Sequence, residues 1–148
     1  MEEIYRLLDR EELFLASKQK RMAAYLLDEL ILSVIWLSVI WESFSGLDNI
    51  EEKILLINSY ILEFMALKVI YHTFFVMQYA ASPGKIIMKI SILELSTASS
   101  PSFLTSLNRA SVRVISELFF YAGFVWGLLD PAHQTWHDKT AKTVVVDV

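Results

Sequence analysis

Residues 20–41 read KRMAAYLLDELILSVIWLSVIW, a basic pair followed by twenty residues whose only charges are Asp28 and Glu29. At about 1.5 Å per residue, twenty apolar residues cross a hydrocarbon core about 30 Å thick, so Met22–Trp41 is expected to form a transmembrane helix. Arg21 and Asp28 are seven residues apart. Nearly two turns separate them, so they share one helix face about 10 Å apart in depth, with Tyr25 between them. A carboxylate at that depth needs a partner or water, which makes Asp28 a candidate functional residue.

The rest of the composition agrees with this reading. Of the 148 residues, 55% are apolar, above the roughly 45–50% of soluble chains, and they are gathered in blocks. One membrane domain over residues 1–148 is expected, with little chain left for a separate globular unit. The net charge of −4 provides no basic surface for nucleic acid. Cysteine is absent, which excludes disulfides and thiolate chemistry. The first 17 residues are acidic and amphipathic, unlike a signal peptide, so the first span is expected to drive insertion.

Glu2–Leu15 reads as a helix with Ile4, Leu7, Leu8, Phe14 and Leu15 along one side. Such a helix packs on its own protein, lies at the interface or docks a partner. The collar SKQKR (17–21) is basic, whereas residues 42–53 (ESFSGLDNIEEK) carry four acids and one lysine. Lysine and arginine beside a span favour the cytoplasm, which puts the N-terminus inside. Asp48 and Glu51 form a capping-box-like start to the next helix.

The second run, Ile54–Ala81, is longer than a crossing requires and can tilt. It carries Glu63, Lys68 and His72. Counting depth from each end predicts that Asp28 faces His72 and Lys68, with Glu63 nearer the outer surface. A charge pair fixing helix register, an ion- or proton-handling cluster, and snorkelling toward water all fit this pattern.

Ser82-Pro83-Gly84-Lys85 is expected to end that helix with a turn, and Lys85 and Lys89 again mark the inside. KISILEL (89–95) suggests a short strand and STASSPS (96–102) a polar turn. Arg109 and Arg113 fall on a helix beginning near Phe103, as interfacial anchors or as partners of lipid phosphate or an internal acid. Val114–Leu129 is only sixteen residues, contains Glu117 and is marginal for a full crossing. Its Gly123 and Gly127 form a GxxxG, which serves packing within the chain or against a second copy. Thr143–Val146 is a second strand candidate.

Enzymatic chemistry is not expected. His133, His137 and Asp138 have ligand-type spacing, but His-x3-His is common by chance, and an interfacial hydrogen-bonding segment anchored by Trp136 accounts for them. No HExxH, phosphate loop or Ser-His-Asp order is present, and neither a cofactor nor a metal is expected.

The ordered set of Arg21-x6-Asp28, SPGK after the second span, Leu107–Arg109 and QTWHDKTAKTVVV (134–146) resembles the RDD family of small, mainly bacterial membrane proteins. The resemblance runs from Lys20 to Val146. By position it makes Arg21, Asp28 and Asp138 the family's name residues. One departure is Lys142, where the family commonly has glycine. The resemblance implies an integral membrane protein of the bacterial inner membrane, and some members of the family look like cation/proton antiporters. It also suggests that Asp138 works with Arg21, with His137 beside it, which requires both on one side of the membrane. Three full crossings would separate them. A third segment that re-enters, or breaks near Gly123, would bring the tail back and let Thr143–Val146 pair with Ile90–Leu95.

The expected fold is therefore an all-α integral membrane protein with two long spans and a third short transmembrane or re-entrant segment. An amphipathic N-terminal helix and a two-stranded cap complete it. Two functions compete: handling of a monovalent cation or proton by a homo-oligomer, and assembly of a larger complex with a membrane-protein partner.

Overall fold

The computed structural model describes residues 2–148. Their order is α1 (Glu2–Glu11), α2 (Lys18–Ser45), α3 (Ile50–Ser59), α4 (Ile61–Tyr79), α5 (Pro83–Ile87), β1 (Ile90–Glu94), α6 (Phe103–Leu118), α7 (Ala122–Leu129), α8 (Trp136–Thr140) and β2 (Thr143–Asp147). Two helices, α2 and α4, are long and apolar enough to cross a membrane, and α6 with α7 forms a bent pair. Both long helices are inside out relative to a soluble protein. Leu26, Leu30, Val34 and Val39 of α2 are exposed while Asp28 is buried, and α4 buries Lys68, His72 and Thr73. Apolar side chains turned outward cost nothing in lipid, whereas unpaired charges there cost several kcal/mol.

The N-terminus of α2 is capped by the Ser17 hydroxyl, which accepts from Lys20 N. Its 28 residues extend to about 42 Å, so both ends reach the interfaces. The second apolar run is not one helix. It divides at Tyr60, where the Ser59 hydroxyl donates to Leu56 O at 2.7 Å and competes with the backbone ladder. The 19 residues of α4 still suffice for about 28 Å. The preceding helix is capped by Asn49, which accepts from Glu51 N, and not by Asp48. SPGK does more than end a helix: α4 stops at a left-handed Ala80, and Ser82-Pro83 then starts α5 with proline in its first turn.

The third segment turns back. Helices α6 and α7 meet at 104° across Phe119–Tyr121, where Phe120 and Tyr121 have φ of 52° and 59°. This bend precedes Gly123, the expected break point, and contains neither proline nor glycine. Near the end of α6, Glu117 reaches the level of Glu29, which lies eleven residues into α2 from Lys18, about 16 Å. From there α7 returns until Leu128 O accepts from Lys18 Nζ at 2.8 Å. The bent pair thus brings the chain back beside the start of α2, from which the tail continues.

On that face β1 and β2 pair antiparallel, with Ile92 opposite Val145. Ala16 N donates to Val145 O at 3.0 Å, and Leu15 bridges Val146, so the N-terminal segment adds a third extended edge. The α1 helix ends at Glu11, before the expected Leu15, and leaves Phe14 exposed. Its Ile4 and Leu8 pack on Ala132, Val144 and Val146, so its apolar face is covered by its own chain.

Candidate functional site: a charged interior behind the cap

Three polar groups step inward from the cap. The outermost is Asp138, fully buried at N3 of α8. Its carboxylate accepts from Thr135 N at 3.0 Å while the Thr135 side chain accepts from the Asp138 backbone, a capping box, and the Thr135 hydroxyl also donates to the carboxylate at 2.8 Å. It is ion-paired with Arg21 of α2, and with Arg109 of α6 at 2.6 Å. Arg21 also donates to His133 O at 2.6 Å, and Arg109 to the Thr143 hydroxyl. Burial acts to raise the Asp138 pKa, but Arg21 and Arg109 outweigh it and hold the carboxyl well below the usual range. Beside it, burial pulls the His137 imidazole well below its ordinary value, with Asp138 opposing. The ring is neutral, with Nε2 on the Thr135 hydroxyl at 2.9 Å.

One layer in, Asp28 is also fully buried. It accepts from Gly84 N at 2.8 Å, the Tyr71 hydroxyl at 3.2 Å and the Ser82 hydroxyl at 2.5 Å. Ser82 in turn accepts from Lys85 Nζ at 3.4 Å, so one hydroxyl links a buried carboxylate to a buried amine. Burial pulls the Lys85 ammonium down to about 7, Arg113, Arg109 and Arg21 acting in the same direction and Asp28 against. Gly84 is required here by close approach: a Cβ would strike Ala24 O and sit 2.9 Å from Asp28 Oδ1.

The deepest group comprises Glu29, Lys68, Arg113 and Glu117. Lys68 Nζ donates to Glu29 at 2.7 Å and to Glu117 at 2.6 Å. Arg113 lies 3.3 Å from Glu29 and 3.6 Å from Glu117, its guanidinium over the Tyr25 ring at 4.9 Å. Two cations against two anions leave this layer neutral, as a low-dielectric position demands.

The sequence-based pairing therefore needs correction. Lys68 meets Glu29 and Glu117, and not Asp28, because adjacent residues on a helix point about 100° apart. His72 is buried near Arg113, Lys85 and His137, but its Nε2 has no partner and Asp28 is not bonded to it. Glu63 is exposed and belongs to no cluster. Of the roles open to Arg109 and Arg113, contact with an internal acid is the one observed, and anchoring at the interface is not. Gly123 and Gly127 pack within the chain: Cβ atoms there would strike Ser116 Oγ, and Thr135 Cγ2 at 2.7 Å. The arrangement of Arg21 with Asp138 is as expected. Nothing in the sequence alone gives Glu29, Glu117, Ser82 or Lys85 a place in the site, although Arg113 and Glu117 at i and i+4 are a legible helix pair. Among the described residues no three His, Asp or Glu side chains are grouped to hold a metal.

Two helices long and apolar enough to cross a membrane, a bent third pair and a charged interior covered by a small sheet mark an integral membrane protein. Residues 15–142 match the model of the RDD family, and the chain belongs to that family. Comparison with curated proteins and with solved structures finds no match.

Proposed function

We propose that this chain exchanges protons for a small monovalent cation, with Asp28, Ser82 and Lys85 as the working group. The observation that carries the reading is the single hydroxyl joining buried Asp28 to buried Lys85, at 2.5 and 3.4 Å. An amine drawn to about 7 gains and loses its proton at physiological pH. When Lys85 is neutral, Asp28 lacks its nearest counter-charge, and a cation held by Asp28, Ser82 and Tyr71 oxygens would replace it. When Lys85 is protonated, that cation is repelled. Alternation between these occupants is the elementary step of exchange.

Two spans and a bent pair do not enclose a pathway, so a homo-oligomer is part of this reading. In this reading the face bearing Lys18, Lys20, Arg21, Lys85 and Lys89 is cytoplasmic, which its basic residues favour, and the membrane is the bacterial inner membrane. The competing role as an assembly subunit rested on the N-terminal helix and the GxxxG, and both surfaces are occupied within the chain.

The test is reconstitution into vesicles containing a pH-sensitive dye, with a sodium or potassium gradient imposed. Wild type is expected to move protons, and Asp28→Asn and Lys85→Met to lose that movement while keeping native circular dichroism. A folded wild type that moves no protons against either cation would overturn the proposal.

A further inference from the structure

A cavity of about 260 Å³ opens between the start of α2 and α7. Its charged lining is Lys18, Arg21, Lys85 and Arg113, with no carboxylate. Arg21 is committed to Asp138, and Arg113 to Glu29 and Glu117. Among the described residues neither Lys18 nor Lys85 has a carboxylate within ion-pair distance, and their hydrogen bonds go to Leu128 O and Ser82 Oγ. Four cationic side chains and no carboxylate around an open volume favour an anion.

The mouth says how the anion arrives. Met22, Val125 and Leu128 line it and are exposed, on the lipid-facing sides of α2 and of the returning hairpin arm. The volume falls below the roughly 300–1,000 Å³ of pockets that enclose a whole small molecule. It suits a headgroup whose hydrocarbon stays outside, along the apolar rim.

We propose that this cavity binds a phosphate-type oxyanion, supplied as the headgroup of an anionic phospholipid entering sideways from the leaflet. Lys18 meets the phosphate at the mouth, Lys85 draws it inward, and the Met22–Val125–Leu128 rim takes the first methylenes. Lys85 is shared with the exchange group, but binding is read without any ion gradient and through variants at Lys18 and Val125, so failure of one proposal is distinguishable from failure of the other.

The experiment uses the full chain in neutral detergent. Binding of dioctanoyl phosphatidylglycerol, dioctanoyl phosphatidylcholine and inorganic phosphate is titrated by tryptophan fluorescence and by native mass spectrometry. Phosphatidylglycerol is expected to bind at least tenfold more tightly than either of the others. Lys18→Gln, an exposed position, and Val125→Trp, which narrows the mouth without changing charge, are each expected to weaken it severalfold or more. Neither touches the Asp28–Ser82–Lys85 group. Equal binding of the two lipids, or undiminished binding in both variants, would overturn the proposal. Inorganic phosphate binding as tightly as the lipid would overturn its lipid source.

Discussion

Replacing Asp138 by Asn tests the outermost group most directly. The side chain keeps its shape, and its amide oxygen can still accept from Thr135 N, but Arg21 and Arg109 lose their shared counter-ion in a site where Asp138 is fully buried. Removing one partner of a buried pair costs about 3–5 kcal/mol, most of it from the charges left behind. For a chain of this size that corresponds to a fall in Tm on the order of 10 °C. Unfolding would be followed by tryptophan fluorescence in detergent, together with trypsin cleavage after Lys139 and Lys142. Asp147→Asn is the matched control. It breaks an ion pair with Lys20 at 3.0 Å whose side chains are 39% and 35% exposed, worth about 0–1 kcal/mol. Because the folded Asp138 pKa is depressed, its contribution is complete above the unfolded carboxylate value and is lost only as pH falls through the folded one. The gap between wild type and Asp138→Asn is therefore expected to be constant from about pH 5 to 8. Adding Arg21→Met to Asp138→Asn should recover part of the loss by removing an orphaned charge. If Asp138→Asn costs no more than Asp147→Asn, the buried network does not hold the tail.

Gly84→Ala pushes a methyl into Ala24 O and Asp28, and is expected to destabilise by about 2–3 kcal/mol, the cost of overpacking, read as a lowered Tm. Lys142 has φ of 51°, so Lys142→Gly should stabilise by about 1 kcal/mol by relieving a left-handed lysine, measured by the same melt. Lys85 is lowered to about 7 from 10.5, so the unfolded chain holds the extra proton between those values. Stability should then rise with pH across that window, and Lys85→Met should flatten the profile. A reporter fused after Val148 should be found on the same side as one fused ahead of Met1.

The glycine that the family places before the last threonine shows how far a motif carries physical meaning. Lys142 occupies the same turn into β2 and adopts the left-handed backbone that glycine takes freely, so the strand pairs despite the departure. The two strands and the existence of the apolar spans were legible because alternation and apolar length are local properties, whereas the division of the second run at Tyr60 was not. Nor was the pairing of Lys68. Depth along a helix is set by counting, but the face a side chain presents changes by about 100° per residue. A depth argument cannot separate Asp28 from Glu29, and only the angle of α2 against α4 and α6 does so.

What the chain determined on its own was its solvent: runs of apolar residues with basic flanks commit it to the bilayer, whatever its tertiary contacts. What only the tertiary structure decided was the return of the third segment and the partner of every buried charge. The bend at Phe119–Tyr121 has no proline or glycine to announce it. It is held by packing of Gly123 and Gly127 against Thr135 and Trp136, and by the pull of Asp138 on Arg21 across 117 residues of sequence. Leaving either charge buried without the other would cost about 3–5 kcal/mol, which exceeds the roughly 1–3 kcal/mol of a left-handed backbone at the bend.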